Sequence, residues 1–226
     1  MDDSGIILNK DDLLAACTNR RVLVLVHGYY SPRKRLIRTY QIIEQQLHQH
    51  GMGVGYTVVG FVWPGGSQFW HYLWSKDRSS EVGFRLQSWL WELGQVASAL
   101  DVNTHSLGAR CLFYALKEYP DVRVRNAFVL APAVDDECLQ SGEKFDSVPY
   151  KCDELVGFYS RHDPVLRFAY PLNDLDLALG NRGPQNESKI EASNVRFVDC
   201  TEFVDSHGRY KDRPEVYAVM KEYYGS

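Results

Sequence analysis

Apolar residues along this chain fall in short unbroken runs, and longer stretches of helical periodicity separate them. "RVLVLVHGYY" (21–30) opens with a run too continuous for a half-exposed strand, as expected of a central parallel strand covered on both faces. "YTVVGFVWPGG" (56–66), "VRNAFVLAPAVD" (124–135), "CDELVGFYSRHD" (152–163) and "NVRFVDCTEF" (194–203) have the same character, each closing on Gly, Pro or polar residues. A shorter strand is predicted from Leu100 to His105. Helical spacing is predicted over about 34–50, about 79–98, from Ser106 onward and over about 212–223. Strand and helix alternating in this way predict an α/β fold: a mostly parallel, twisted sheet of about six to eight strands with helices on both faces and right-handed crossovers. In such sheets ligands bind beyond the carboxyl ends of the strands, so functional residues are expected just after strands.

Composition narrows the class. A chain of 226 residues with 45% hydrophobic and 24% charged residues fits a single globular α/β domain over 1–226 and argues against disorder. The net charge is −4, and the basic cluster Arg33-Lys34-Arg35 with Arg38 is too short to outweigh it, so no nucleic-acid partner is expected. "MDDSGIILNKDDLL" is acidic where a secretory leader is basic, and no apolar run approaches the roughly 20 residues that span a bilayer; a cytoplasmic protein without a membrane span is expected. The five cysteines are scattered with no C-x-x-C pair, which points to buried reduced thiols rather than a disulfide framework or a metal site.

"DVNTHSLGAR" (101–110) carries the first chemical signal. Thr104-His105-Ser106-Leu107-Gly108 differs at one position from G-x-S-x-G, the strained strand-to-helix turn that presents a serine nucleophile. Positions two before and two after that serine must be small so that strand and helix can approach; Gly108 is small, whereas Thr104 is larger and β-branched. Asp101 and Asn103 are unexpectedly polar for a central strand.

A serine hydroxyl needs a base. Of seven histidines, His207 in "DSHGRY" follows the last strand and precedes the final helix, where the chain order Ser, Asp, His places the base. The acid should follow an earlier strand: Asp163 in "SRHDPVL" fits, and so does Asp135, or less well Asp136, in "APAVDDE". Acyl transfer also needs donors aimed at a developing oxyanion. The Leu107 amide follows the nucleophile, and "VHGYY" supplies a second amide at Tyr29, with Gly28 letting the backbone turn.

"VLVLVHGYY", "GFVWPGG", "THSLGAR", "VLAPAVD", "SRHDPVL" and "DSHGRY" in this order resemble the α/β-hydrolase superfamily, most similarly the small bacterial esterase-like proteins described as alpha/beta hydrolases of unknown function. The resemblance runs from about residue 20 to 224. It implies Ser106, Asp163 and His207 as triad, oxyanion amides at Tyr29 and Leu107, and the 21–30 strand lying between the elbow strand and the 56–66 strand. No cofactor and no metal is implied. The implied partner is a small-molecule ester or acyl substrate, cleaved by two-step acyl transfer.

Two segments are candidate lid or pocket insertions: 65–80, with its aromatic cluster, and 171–193, whose glycines and prolines at 180–184 would permit a flap. His27, Gly28, His105, Phe69 and Trp70 stand as candidate substrate contacts. Two other function classes are weighed. A non-catalytic relative used as a binding or scaffold protein would not need the full Ser, Asp, His set. A dinucleotide-binding domain would want G-x-G-x-x-G after the first strand, and "HGYYSPRK" lacks it.

Overall fold

The unbroken apolar run at 22–26 lies in β1 (Arg21–Val26), and its burial explains its composition. Val22, Val24 and Val26 face one hydrophobic cluster, and Leu23 and Leu25 face the other, so alternate residues fill opposite faces and neither face can be polar. The computed structural model describes residues 9–29, 32–64, 77–170 and 177–224. The remaining strands are β2 (Tyr56–Phe61), β3 (Ala99–His105), β4 (Val124–Leu130), β5 (Cys152–Tyr159) and β6 (Val195–Asp199). They form a six-stranded sheet in the order β2-β1-β3-β4-β5-β6, with every neighbouring pair parallel. The α/β architecture, and the place of β1 between β2 and the elbow strand, are those expected.

The helices are α1 (Lys10–Cys17), α2 (Arg33–Gln49), α3 (Ser79–Val96), α4 (Leu107–Glu118), α5 (Leu179–Arg182) and α6 (Pro214–Glu222). Leu86, Leu90 and Leu93 of α3 and Leu112 and Leu116 of α4 share the cluster of Val22 and Val24; Ile43 and Leu47 of α2 and Val216, Tyr217 and Met220 of α6 pack on the other face. α1 is absent from the expectations above. Its apolar face is weak, but its start was marked: Asn9 caps it by accepting the Asp12 amide at 2.9 Å, and Asp11 and Asp12 lie in the first turn, where the helix dipole favours acids.

Asp101 and Asn103 of β3 are paired below the sheet's carboxyl edge. Asp101, wholly buried, accepts from Arg125 Nε and Nη2 at 2.9 and 2.5 Å, from the Asn126 amide at 3.1 Å and from the Tyr56 hydroxyl, joining β2, β3 and β4. Asn103 donates to the Met220 sulfur at 3.9 Å. All five cysteines are buried and free.

Segment 171–193 is in part integral to the fold. From Ala178 to Asn181 it is buried and built into the fold rather than laid over it. Ala178 bridges to Asp135, the Gly180 amide donates to Pro132 O at 3.0 Å, and Gly180 O accepts from the Ser160 amide at 3.1 Å. A Cβ at Gly180 would sit 2.4 Å from the Ala131 carbonyl carbon, so this glycine permits close packing. Residues 171–176 and 65–76, with Phe69 and Trp70, lie outside the described residues.

Candidate active site at the carboxyl edge of the sheet

Ser106 is the first residue beyond β3 and the cap of α4, and its backbone is left-handed, with φ 55° and ψ −123°. A non-glycine residue there is strained by about 1–3 kcal/mol and persists only where its surroundings over-determine it. They do: the Ser106 amide donates to Leu130 O at 2.9 Å, and Ser106 O accepts from the Ala109 and Ala133 amides at 3.0 and 3.2 Å. The turn also requires β1 and α4 to touch. A Cβ at Gly108 would lie 2.6 Å from Val26 O and 2.7 Å from His27 O, and one at Gly28 would lie 2.8 Å from Ser106 Cβ. Thr104, in place of the pattern's first glycine, is accommodated inside the sheet in register with Val26 and Val129. It is fully buried, and among the described residues its hydroxyl has no hydrogen-bond partner.

His207 reaches the serine from the loop after β6. Its Nε2 lies 2.9 Å from Ser106 Oγ and its Nδ1 2.6 Å from Asp163 Oδ2. Asp163 is wholly buried, and its other oxygen accepts the Val165 and Leu166 amides, both at 3.0 Å, at the start of a π-helix over Val165–Ala169. An acceptor-only carboxylate at Nδ1 requires Nδ1–H, which leaves Nε2 free to accept the serine proton. The loop carrying Asp163 is held by the Asn181 side-chain amide, which donates to Ser160 O at 3.1 Å.

Asp135, the alternative acid, is engaged elsewhere. It accepts from the Tyr170 hydroxyl at 2.6 Å and faces Arg110 Nη2 at 3.5 Å, beside α4. The structure therefore brings Asp163, and not Asp135, to His207. Arg110, in the same "SLGAR" stretch as the serine, is buried and also donates to Ala133 O at 3.4 Å, bracing the loop whose amide supports Ser106 O.

His27 and His105, expected as substrate contacts, both hydrogen-bond protein groups. The Trp63 amide donates to His27 Nε2 at 3.1 Å, so His27 Nδ1 carries the proton it shares with Gly28 O at 2.8 Å. The Trp63 indole donates to His27 O at 2.8 Å and its ring stacks on the imidazole. Burial holds the His27 pKa below its ordinary value. This clasp ties the ends of β1 and β2 together, and no spacing in the sequence announces it. His105 Nε2 lies 2.7 Å from the His207 carbonyl oxygen. A cavity of about 250 Å³ opens at the end of β2 and the start of α3, between Trp63, Arg78, Val82, Arg85 and Trp89. Ser106, Asp163 and His207 are not among its walls, so the hydrogen-bonded chain and not this cavity marks the candidate reaction centre. Among the described residues no cluster of three or more His, Cys, Asp or Glu could hold a metal ion, and no helix is long and apolar enough to cross a membrane.

Solved structures share this architecture. One from the study of LipS and LipT, two metagenome-derived lipolytic enzymes, superposes with a TM-score of 0.56 at 11% identity, covering 92% of this chain and 96% of that one. The apo form of Thermogutta terrifontis esterase 2 gives 0.50 at 13% identity, covering 92% and 81%. At such identities the likeness is one of fold. No curated protein matches the chain by sequence. Residues 9–222 match the family described as alpha/beta hydrolase of unknown function (DUF900), and the chain belongs to that family.

Proposed function

We propose that the protein is a serine hydrolase that cleaves a small carboxylic ester or thioester by two-step acyl transfer. The observation that carries this reading is the continuous chain Asp163–His207–Ser106, with contacts of 2.6 and 2.9 Å, ending on a serine in a strained strand-to-helix turn. Esterases and lipolytic enzymes among proteins of the same fold agree with it.

Ser106 Oγ attacks the acyl carbon as His207 Nε2 takes the hydroxyl proton, and Asp163 holds the ring with Nδ1–H inward and stabilises the imidazolium. The carbonyl π electrons move to oxygen, which is met by the amides of Leu107 and Tyr29. Leu107 is the first residue of α4, where an N–H has no intrahelical acceptor and the helix dipole favours negative charge. Collapse of the tetrahedral intermediate expels the alcohol or thiol, which takes the proton from Nε2. Water then attacks the acyl-enzyme with the same histidine as base, releasing the acid and restoring Ser106. Val165 and Phe168, exposed on the π-helix next to the acid, offer apolar surface for an acyl or alcohol group.

Treatment with a fluorophosphonate followed by intact mass and peptide mapping tests this reading. A single adduct on Ser106 is expected, abolished in Ser106→Ala and in His207→Ala. Folded wild-type protein that takes no adduct would overturn the assignment and move a binding or scaffold role to the front.

A further inference from the structure

Three hydrogen bonds converge on His207. Two involve its imidazole, whose Nδ1–H donates to Asp163 and whose Nε2 accepts from Ser106, and the third falls on its main-chain carbonyl, 2.7 Å from His105 Nε2. A carbonyl oxygen can only accept, so His105 must carry a proton on Nε2. The two imidazole rings lie 4.7 Å apart, tilted by 54°. A Cβ at position 28 would come within 3.3 Å of His105 Nδ1, so the Gly28 backbone closes that side of the ring.

Other hydrogen bonds near His207 are local to its loop: the Arg209 amide donates to Ser206 O at 3.1 Å and Lys211 Nζ donates to Gly208 O at 2.5 Å. The loop follows β6 without regular structure until the 3-10 turn Tyr210–Asp212, and Asp205 meets Arg213 at 3.5 Å while largely exposed. A Cβ at Gly208 would meet nothing within 4 Å, so the residue after the base packs against no neighbour on that side. Upstream, Val204 O accepts from Ser160 Oγ at 2.6 Å. Between that anchor and Tyr210, the His105 bond ties the sheet to the main chain of the base.

We infer that His105 is a positioning residue: its Nε2–H pins the His207 carbonyl, so that two consecutive residues of the elbow, His105 and Ser106, fix the backbone and the imidazole of the base together. The geometry has a chemical reason. The imidazole must stay within hydrogen-bond reach of the serine while its charge changes, and a displacement of about 1 Å can cost ~10²-fold in rate. A donor on the nucleophile's own strand moves with the nucleophile and preserves their separation. His105 can serve beside a ring that becomes cationic because it stays uncharged. It is partly buried by surface area yet densely surrounded by protein, and that desolvation, followed by the His207 charge, pushes its pKa down to about 3.

This inference rests on the serine-hydrolase reading for its kinetic consequence, but its structural content is separately measurable. Long-range ¹H–¹⁵N spectra of the wild-type imidazoles should show His105 as the neutral Nε2–H tautomer between pH 5 and 8; the Nδ1–H tautomer or a cation there overturns the clamp, whatever the enzyme does. His105→Phe keeps a ring and removes the donor, and His105→Gln restores an N–H near the same place. With a p-nitrophenyl ester, His105→Phe is expected to lower kcat by about 10- to 100-fold with KM within about threefold, and His105→Gln to recover to within about fivefold of wild type. The downfield Nδ1–H resonance of His207, shared with Asp163, should broaden in the Phe variant and return in the Gln variant. Unchanged kcat and resonance in His105→Phe, or equal damage in both variants, overturns the inference. If the Phe variant does not fold, the wild-type tautomer and the Gln variant still decide it. If Ser106 takes no fluorophosphonate while the tautomer and the resonance are as stated, the hydrolase reading falls and the clamp stands.

Discussion

At the residue scale the acid and the elbow threonine make sharp demands. Asp163 fixes the tautomer of His207 through a 2.6 Å contact, and an amide in its place would present a donor to Nδ1 and turn the ring's proton toward the serine. Asp163→Asn is therefore expected to lower kcat by about 10³- to 10⁴-fold with the fold retained; Asp135→Asn, whose carboxylate serves Tyr170 and Arg110, should leave kcat far closer to wild type in the same assay. Thr104 buries a hydroxyl without a partner, which costs roughly 1–3 kcal/mol. Thr104→Val keeps the shape and removes that group, so a rise in urea midpoint equivalent to about 1 kcal/mol is expected. The candidate triad was legible as residues because Ser, Asp and His each stand in a polar, turn-forming context just after an apolar run. The choice between Asp163 and Asp135 was not, because both follow strands and chain order suits either.

At the element scale the site depends on how closely β1, β3 and α4 approach. Gly108 sits on the first turn of α4 with its Cβ position 2.6 Å from Val26 O, a backbone atom that cannot rotate away. Gly108→Ala should force α4 from the end of β1, lowering stability by about 1–3 kcal/mol in urea unfolding and turnover by a larger factor, since the same strand end carries Tyr29. An unchanged melting temperature would show that the elbow has slack. The six strands and the main helices were legible from run length and period, within the usual uncertainty of their ends. Two elements were not. α1 hides because its apolar face is weak and only its cap speaks for it. The helix α5 hides because Gly180 and Asn181 look like loop residues in sequence, and only their burial against Ala131, Pro132 and Ser160 makes them structural.

At the scale of the whole molecule, two histidines that their surroundings keep neutral make stability depend on acid. Burial holds His27 below its ordinary pKa and pushes His105 to about 3, so the folded protein leaves both neutral where the unfolded chain protonates them near ~6.5. The unfolded state then binds more protons, so their contribution is complete above ~6.5 and is lost as pH falls from there toward about 3. Urea midpoints measured across that range should fall for wild type and fall less steeply for His105→Gln. Parallel curves for the two proteins would mean that His105 gains its proton without unfolding the chain.

The amino-acid sequence by itself determined the alternation of strands and helices, and hence a parallel sheet whose carboxyl edge collects the residues that follow strands. It also determined which residue types stand there, because periodicity and turn chemistry are local and leave their mark in adjacent positions. Only the tertiary structure decided which aspartate meets His207, that Asp101 and Asn103 are satisfied across strands, and that His27 and His105 hydrogen-bond protein groups. Those outcomes depend on contacts between residues far apart in the chain, such as His105 and His207, and on hydrogen-bond directions that exist only once the sheet has set the distances.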